Sequence, residues 1–347
     1  MFETNNSWSD SLAAVFGCSG HSLSADERSF FRETKPFGFI LFGRNIHSPD
    51  QVRALVDDVR SCVGWSAPVL IDQEGGRVQR LRPPHWRSAP PMNQFGLLYA
   101  KDPERAVEAV RINMQAIGKE LADLGIDVDC APVLDVPVPG AHDVIGDRAL
   151  ASDSGTVRNL AVAACEGLMD AGIVPVIKHL PGHGRAAVDS HKELPVVDTP
   201  EADLAGQDLL PFQKVAALPV AGMTAHVVYT TFDPDQPATL SPQVIAHVIR
   251  DRIGFSGLLF SDDLGMKALK SSFSDRASKC LSAGCDIALH CCGDLVEMQE
   301  VAHGSSRLSE SAIVSFERLE SYRGKPRIDV DGTAIAFQVA SLLEAAA

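Results

Sequence analysis

The chain has 347 residues, of which 45% are hydrophobic and 22% charged, a globular composition able to bury a large core. Its net charge of −14 argues against nucleic acid or an anionic membrane as the main partner. The opening stretch MFETNNSWSDSLAAVFG has no basic region followed by a long apolar one, so no signal peptide is expected. No segment approaches the roughly 18 apolar residues of a membrane-spanning helix.

Eight short apolar, β-branched runs follow one another along the chain. The first, LAAVFG (12–17), is followed by a helix whose start is marked by a capping box, Ser24-Ala-Asp-Glu27. FGFILF (37–42) and APVLID (67–72) come next, and then a proline-rich, loop-like stretch over 74–102. Pro103 opens a long amphipathic helix, with Gly125 as the expected C-terminal cap. IDVDCAPVLDV (126–136), a helix over 154–172, IVPVIKH (173–179) and a helix over 200–217 follow. LPVAGMTAHVV (218–228), a helix over 241–252, FSGLLFSDD (255–263), a helix over 274–284 and CDIALHC (285–291) complete the alternation. Beyond about 293, two or three helices are expected to close the structure.

Continuous apolar strands are what a parallel sheet buried on both faces requires. Eight of them alternating with helices predict one domain over 1–347, an α/β fold of the single (β/α)8 TIM-barrel type with C-terminal helices. No GxGxxG follows the first strand, which weakens a dinucleotide-binding sheet. The eight cysteines are scattered through apolar runs without a CxxC pair, the pattern of reduced core thiols in a cytoplasmic protein.

Barrel enzymes build their sites at the C-terminal strand ends, and six such ends here are polar. They read LFGRN (41–45), IDQEGGRVQR (71–80), APVLDV leading into IGDRAL (145–150), VIKHLPGHGRAAVDSHKELP (176–195), MTAHVVY (223–229) and SDDLGM (261–266). The fourth of these concentrates ionisable and turn-forming residues in one loop. By residue type alone three chemistries compete for it. A metal could be held by His179, His183, Asp189 and His191, although common metallohydrolase spacings are missing. Lys178 could form a Schiff base. An aspartate–histidine pair could move protons.

Taken in order, these motifs closely resemble the family 3 glycoside hydrolases, specifically bacterial β-N-acetylglucosaminidases, over about residues 12 to 290. The chain departs from the family pattern at Leu150 and Leu180, where phenylalanine is usual. The resemblance implies a retaining β-N-acetylglucosaminidase that removes terminal GlcNAc from peptidoglycan fragments in cell-wall recycling. It implies Asp262 as the nucleophile and Asp189-Ser190-His191 as an acid/base pair, in which a carboxylate orients the imidazole. Asp72, Arg80, Arg148, Lys178 and His179 match sugar-contacting positions. Asp263 is expected to cap the following helix, and His183 to be structural within the loop. Arg44, Asn45 and Asp135 are expected behind the contacting residues, and His226 either lines the pocket or sits satisfied in the core. Arg148 has a structural alternative, pairing with Asp147 or Asp135. The implied partner is a small GlcNAc-containing muropeptide, with no cofactor, metal, nucleic acid or membrane. The implied protein is a cytoplasmic monomer or weak homo-oligomer. A non-catalytic sugar-binding barrel is the alternative from another class.

Overall fold

The computed structural model describes residues 7–328 and 332–344. Eight strands carry the architecture: β1 (Leu12–Gly17), β2 (Pro36–Leu41), β3 (Val69–Ile71), β4 (Val128–Asp129), β5 (Val174–Leu180), β6 (Ala221–Thr224), β7 (Leu259–Phe260) and β8 (Ala288–His290). Each lies beside its sequence neighbours, β8 beside β1, and the pairings are parallel. A parallel bridge from Phe260 to Ile287 joins the two ends of the row. The sheet therefore closes into the expected barrel. Every residue of β1, β2 and β5 is buried, which is why these strands read as unbroken apolar runs.

Helices follow most strands and are capped as the sequence suggests. Ser24 Oγ accepts the Glu27 N–H at 3.1 Å while Glu27 Oε2 accepts the Ser24 N–H at 2.8 Å. The helix Pro103–Ala122 ends three residues before Gly125, whose left-handed φ of 77° turns the chain into β4. The helices expected over 200–217 and 241–252 are instead interrupted by wide π turns at Leu204–Asp208 and Val244–Arg252. Three further helices, Leu295–Gly304, Glu310–Glu320 and Gly332–Glu344, follow the last strand. Phe316 from the second packs edge-on against Phe37 at the start of β2, 4.8 Å between ring centroids.

Several expected strands are shorter than their apolar runs. In 126–136 the regular strand ends at Asp129, although Cys130 N still donates to Ile71 O at 2.8 Å and Ala131 O still accepts from Val176 N at 3.1 Å; Pro132, with no N–H, then offers only its carbonyl, to Lys178 N at 3.3 Å. The chain stays beside β5 through Val133–Lys178 bridging and a 2.8 Å bond from Leu134 N to Lys178 O. The run 218–228 serves two sheets: β6 in the barrel, and Val228–Tyr229 in a small three-stranded sheet with Val196–Val197 and Asp233–Pro237. The loop-rich stretch 74–102 is an ordered excursion. It holds a hairpin, Gln73–Gly75 with Val78–Gln79, and a helix, Asn93–Tyr99.

Candidate active site

The C-terminal strand ends enclose a pocket of ≈ 150 Å³ lined by Asp72, Arg80, Arg148, Lys178, His179, His191 and Asp262. Asp189 joins them through His191. Residues spread over 190 positions of sequence thus meet in one place.

The floor is an ion-pair lattice. Asp72, just beyond β3, meets Lys178 Nζ with one oxygen and Arg80 Nη2 with the other, both at 2.9 Å. Arg80 is delivered by the hairpin, whose register is pinned by buried Gln73: its Oε1 accepts the N–H groups of Arg80 and Leu81 at 2.8 and 3.0 Å. The Arg80 guanidinium lies over the Phe42 ring, 4.9 Å from its centroid. Lys178 also contacts Glu74 at 2.6 Å, and Arg148 grips Glu74 with two bonds of 2.8 Å. Burial would raise the Asp72 carboxyl, but Lys178 and Arg80 outweigh it and hold it far below the usual range. For Glu74, Arg148 and Lys178 likewise overcome burial and bring it down to about 2. Lys178 is pushed the other way. Burial would lower it, yet Asp72 and Glu74 raise it above the ordinary lysine range.

Glu74 was not singled out in the sequence, although it lies two residues after Asp72. Because the hairpin is not legible there, nothing indicates which way this side chain faces. Arg148 pairs with Glu74 and not with either expected acid. Asp147 is taken by Arg77 at 2.9 Å, and Asp135 is the hub of a second network.

Asp135 accepts the His179 N–H at 3.2 Å, the His183 N–H at 2.6 Å and His179 Nδ1 at 2.7 Å. Burial opposes ionisation, but His179 and His183 outweigh it, so its pKa is lowered. An ionised Asp135 makes His179 Nδ1 the donor in their 2.7 Å contact. His183 is buried, bonded to Ser190 Oγ at 3.1 Å, and burial, with His179 beside it, lowers it to about 4. It is a neutral loop strut, as expected.

The loop after β5 is anchored at its base. The turn-forming residues at 181–184 would suit a loop that folds over the pocket and retreats, but Pro181, Gly182, His183 and Gly184 are all buried. A Cβ on Gly184 would sit 2.0 Å from Val136 O, so the backbones approach too closely for any other residue. Tyr229 Oη donates to Gly182 O at 2.5 Å, and Arg185 Nε meets Asp208 at 2.7 Å. The exposed part begins at Ala187 and carries the Asp189–His191 pair. Asp189 Oδ1 lies 2.8 Å from His191 Nδ1 and accepts the His191 N–H at 3.0 Å. Burial acts to raise Asp189, but these bonds outweigh it and lower its pKa. The His191 side chain is 64% exposed.

Opposite this loop, Asp262 leaves β7 half-buried with Oδ1 accepting the Asp263 N–H at 2.8 Å. Burial would raise its pKa, but His226, His179 and that N–H lower it. His226 is itself lowered by burial. Asp263 does not cap the following helix, which begins only at Phe273 with Ser272 as its cap; its Oδ1 instead ties a turn, accepting from Gly265 N at 2.9 Å and Cys291 N at 3.0 Å, and it borders the pocket. His226 is a core residue, saturated by Thr239 Oγ1 at 2.7 Å and Asp263 O at 3.0 Å. Arg44 and Asn45 bond backbone carbonyls: Arg44 Nε to Cys18 O at 2.8 Å, and Asn45 Nδ2 to Cys18 O and Gly20 O at 2.9 and 2.8 Å. Leu150 and Leu180 are fully buried.

The competing chemistries lose ground. Lys178 is a clamped ammonium, whereas an imine-forming lysine needs a lowered pKa. The four residues of the metal reading are split between the buried His179–Asp135–His183 network and the exposed Asp189–His191 pair.

The chain is also similar to known proteins along most of its length. The profile of the glycosyl hydrolase family 3 N terminal domain matches residues 14–318. A beta-hexosaminidase of Alkalilimnicola ehrlichii is 39% identical over 318 residues, covering 91% of this chain and 89% of the relative. One from Actinobacillus succinogenes is 39% identical over 278 residues, covering 78% of each. The crystal structure of NagZ from Neisseria gonorrhoeae in complex with N-trifluoroacetyl-D-glucosamine superposes with a TM-score of 0.87 at 30% identity. It covers 96% of this chain and 98% of that one.

Proposed function

This chain belongs to glycosyl hydrolase family 3 and is a β-hexosaminidase, and from that membership we propose that it removes terminal N-acetylglucosamine by a retaining mechanism. Asp262 is the nucleophile and the Asp189–His191 pair is the acid/base. The observation that carries this reading is one pocket bordered by an ionised Asp262 on a rigid strand end and by His191 on an exposed loop.

In the first step an Asp262 oxygen attacks the anomeric carbon while the protonated His191 gives its proton to the leaving oxygen. The carbon–oxygen bond to the leaving group breaks as the glycosyl–Asp262 ester forms. In the second step the now neutral imidazole takes a proton from water, which displaces Asp262 and restores both groups. Asp189 holds Nδ1, so Nε2 is the atom that exchanges the proton, and its charge stabilises the imidazolium.

The floor binds the sugar. Each Asp72 oxygen keeps a lone pair after meeting its cation and can accept a hydroxyl hydrogen. Lys178 and Arg80 donate to hydroxyl oxygens, and the His179 ring lines the pocket beside them. Arg148, fixed by Glu74, supplies the directed donor suited to the acetamido carbonyl. The proposed natural substrates are peptidoglycan fragments with GlcNAc on an anhydromuramoyl residue, with or without peptide. The proposed location is the cytoplasm, in keeping with eight free cysteines, seven of them buried.

The test compares aryl N-acetylglucosaminide, glucoside and xyloside substrates, followed by GlcNAc–anhydromuramoyl peptides, with purified protein. Preference for the N-acetylglucosaminide and turnover of the peptides support the reading. Equal use of the glucoside would overturn the assignment of the acetamido site.

A further inference from the structure

Among the described residues, one set of three metal-ligating side chains brings its ligand atoms within 4.8 Å of one another, and it lies outside the catalytic pocket. His290 ends β8, Cys292 follows two residues on, and Glu297 stands in the first turn of the helix Leu295–Gly304. The Cys292 Sγ atom is 3.2 Å from His290 Nε2 and 2.9 Å from Glu297 Oε2, and the nitrogen and oxygen are 3.3 Å apart.

As a hydrogen-bonded cluster this triangle is poorly provisioned. The thiol has one proton and faces two acceptors. If His290 Nε2 carries a proton to relieve its contact with Glu297, then Nδ1 is left bare. That atom is buried with no hydrogen-bond partner, and the nearest acid, Asp263 Oδ1, is 4.0 Å away. A bare nitrogen cannot donate to it. Removing the thiol proton and placing a divalent cation in the triangle resolves both problems. Thiolate, Nε2 and carboxylate then all point lone pairs at the ion, and Nδ1 carries the hydrogen and faces Asp263. A metal-bound imidazole with its other nitrogen directed at a carboxylate is the usual arrangement at zinc sites.

We propose that His290, Cys292 and Glu297 bind one zinc ion, with water in the fourth position. The mixed sulfur, nitrogen and oxygen set favours Zn²⁺ over Mg²⁺ or Ca²⁺. Tetrahedral bonds of about 2.0–2.3 Å leave the nitrogen–oxygen separation as it is and ask the sulfur to draw back by roughly half an ångström. Cys292 and Glu297 are half-exposed, which gives the ion a route in. Thiolate and carboxylate balance its charge, the thiol proton leaving to solvent. Asp294 caps the helix, accepting the N–H groups of Val296 and Glu297 at 2.9 and 3.1 Å, and so fixes the ligand's backbone. The ion ties the end of β8 to this helix. The proposal does not rest on the assigned reaction, since its readout is the metal alone.

The experiment strips the purified protein with a chelator and titrates it with Co²⁺ and then Zn²⁺. The expected result is one equivalent of Co²⁺ with a thiolate-to-cobalt charge-transfer band, displaced by one equivalent of Zn²⁺. Cys292→Ser loses the band, and Glu297→Gln binds more weakly by more than the about 10- to 100-fold that loss of an outer-shell partner costs. His191→Ala keeps both band and stoichiometry. Absence of the band in the wild type, or its persistence in Cys292→Ser, overturns the site. So does loss of binding in His191→Ala, which would put the ion at the catalytic pair. If Cys292→Ser fails to fold, Glu297→Gln decides alone.

Discussion

One oxygen of Asp189 holds His191 twice, at the ring through Nδ1 (2.8 Å) and at the backbone through its N–H (3.0 Å). The ring is therefore oriented by a residue only two positions away in the chain even though it is largely exposed. If this pair is the acid/base, His191→Ala slows substrates with poor leaving groups far more than activated nitrophenyl ones, which need little protonation. With activated substrates the variant accumulates glycosyl-enzyme, because no base prepares water. Asp189→Asn shows a milder loss, and the alkaline limb of its kcat/KM profile moves to lower pH as the imidazolium loses its charged partner. Equal loss across leaving groups with an unmoved limb would place the proton donor elsewhere.

Asp262→Ala is expected to abolish turnover while leaving thermal stability within about 1 kcal/mol, since the side chain borders the pocket and is not a core packing element. A fluorinated sugar substrate labels Asp262 covalently in the wild type, as peptide mass spectrometry will show. A label on Asp263 refutes the assignment.

The Glu74 carboxyl, 1% exposed and brought down to about 2 from an ordinary 4.5, links the floor to stability. A lowered folded value contributes stability that is fully present above about pH 4.5 and lost as the pH falls toward 2. Glu74→Gln is therefore expected to cost on the order of 3 kcal/mol at pH 7, with the difference from wild type shrinking in acid. Urea unfolding across that range measures it. A difference independent of pH means that the ion pairs are not its source.

Tyr229→Phe removes the hydroxyl that holds Gly182 O and leaves a buried carbonyl unpaired, an expected cost of about 1–3 kcal/mol. Because the same loop carries His191, kcat on poor leaving groups should fall more than kcat on activated ones. Unchanged melting and rates would show that Arg185 and Gly184 anchor the loop without it.

The barrel was legible in the sequence because its strands are buried on both faces, and LAAVFG gives β1 to the residue. Where a strand's fate depends on partners distant in sequence, the run misleads. The stretch 126–136 pairs regularly only at Val128–Asp129, and 218–228 is shared between two sheets. The π turns at Leu204–Asp208 and Val244–Arg252 preserve the apolar spacing of a helix and leave no local mark. The candidate site residues are legible as motifs, and most of them line one pocket, whereas their partners are not legible. Arg148 has Asp147 beside it in sequence, yet it reaches 74 positions back to Glu74. That choice is made by the hairpin, whose fold depends on Gln73 being buried.

The ion lattice beneath the pocket and the exposed pair above it differ in how they meet dissolved salt. Mobile ions screen charges in water over about 8–10 Å but reach buried ones little. The floor, with Lys178 3% and Glu74 1% exposed, keeps its field in brine, while the attraction between Asp189 and a protonated His191 weakens. Rising ionic strength should therefore leave sugar affinity nearly constant and erode proton transfer, so that the enzyme in concentrated electrolyte holds its substrate as well as before but turns it over more slowly.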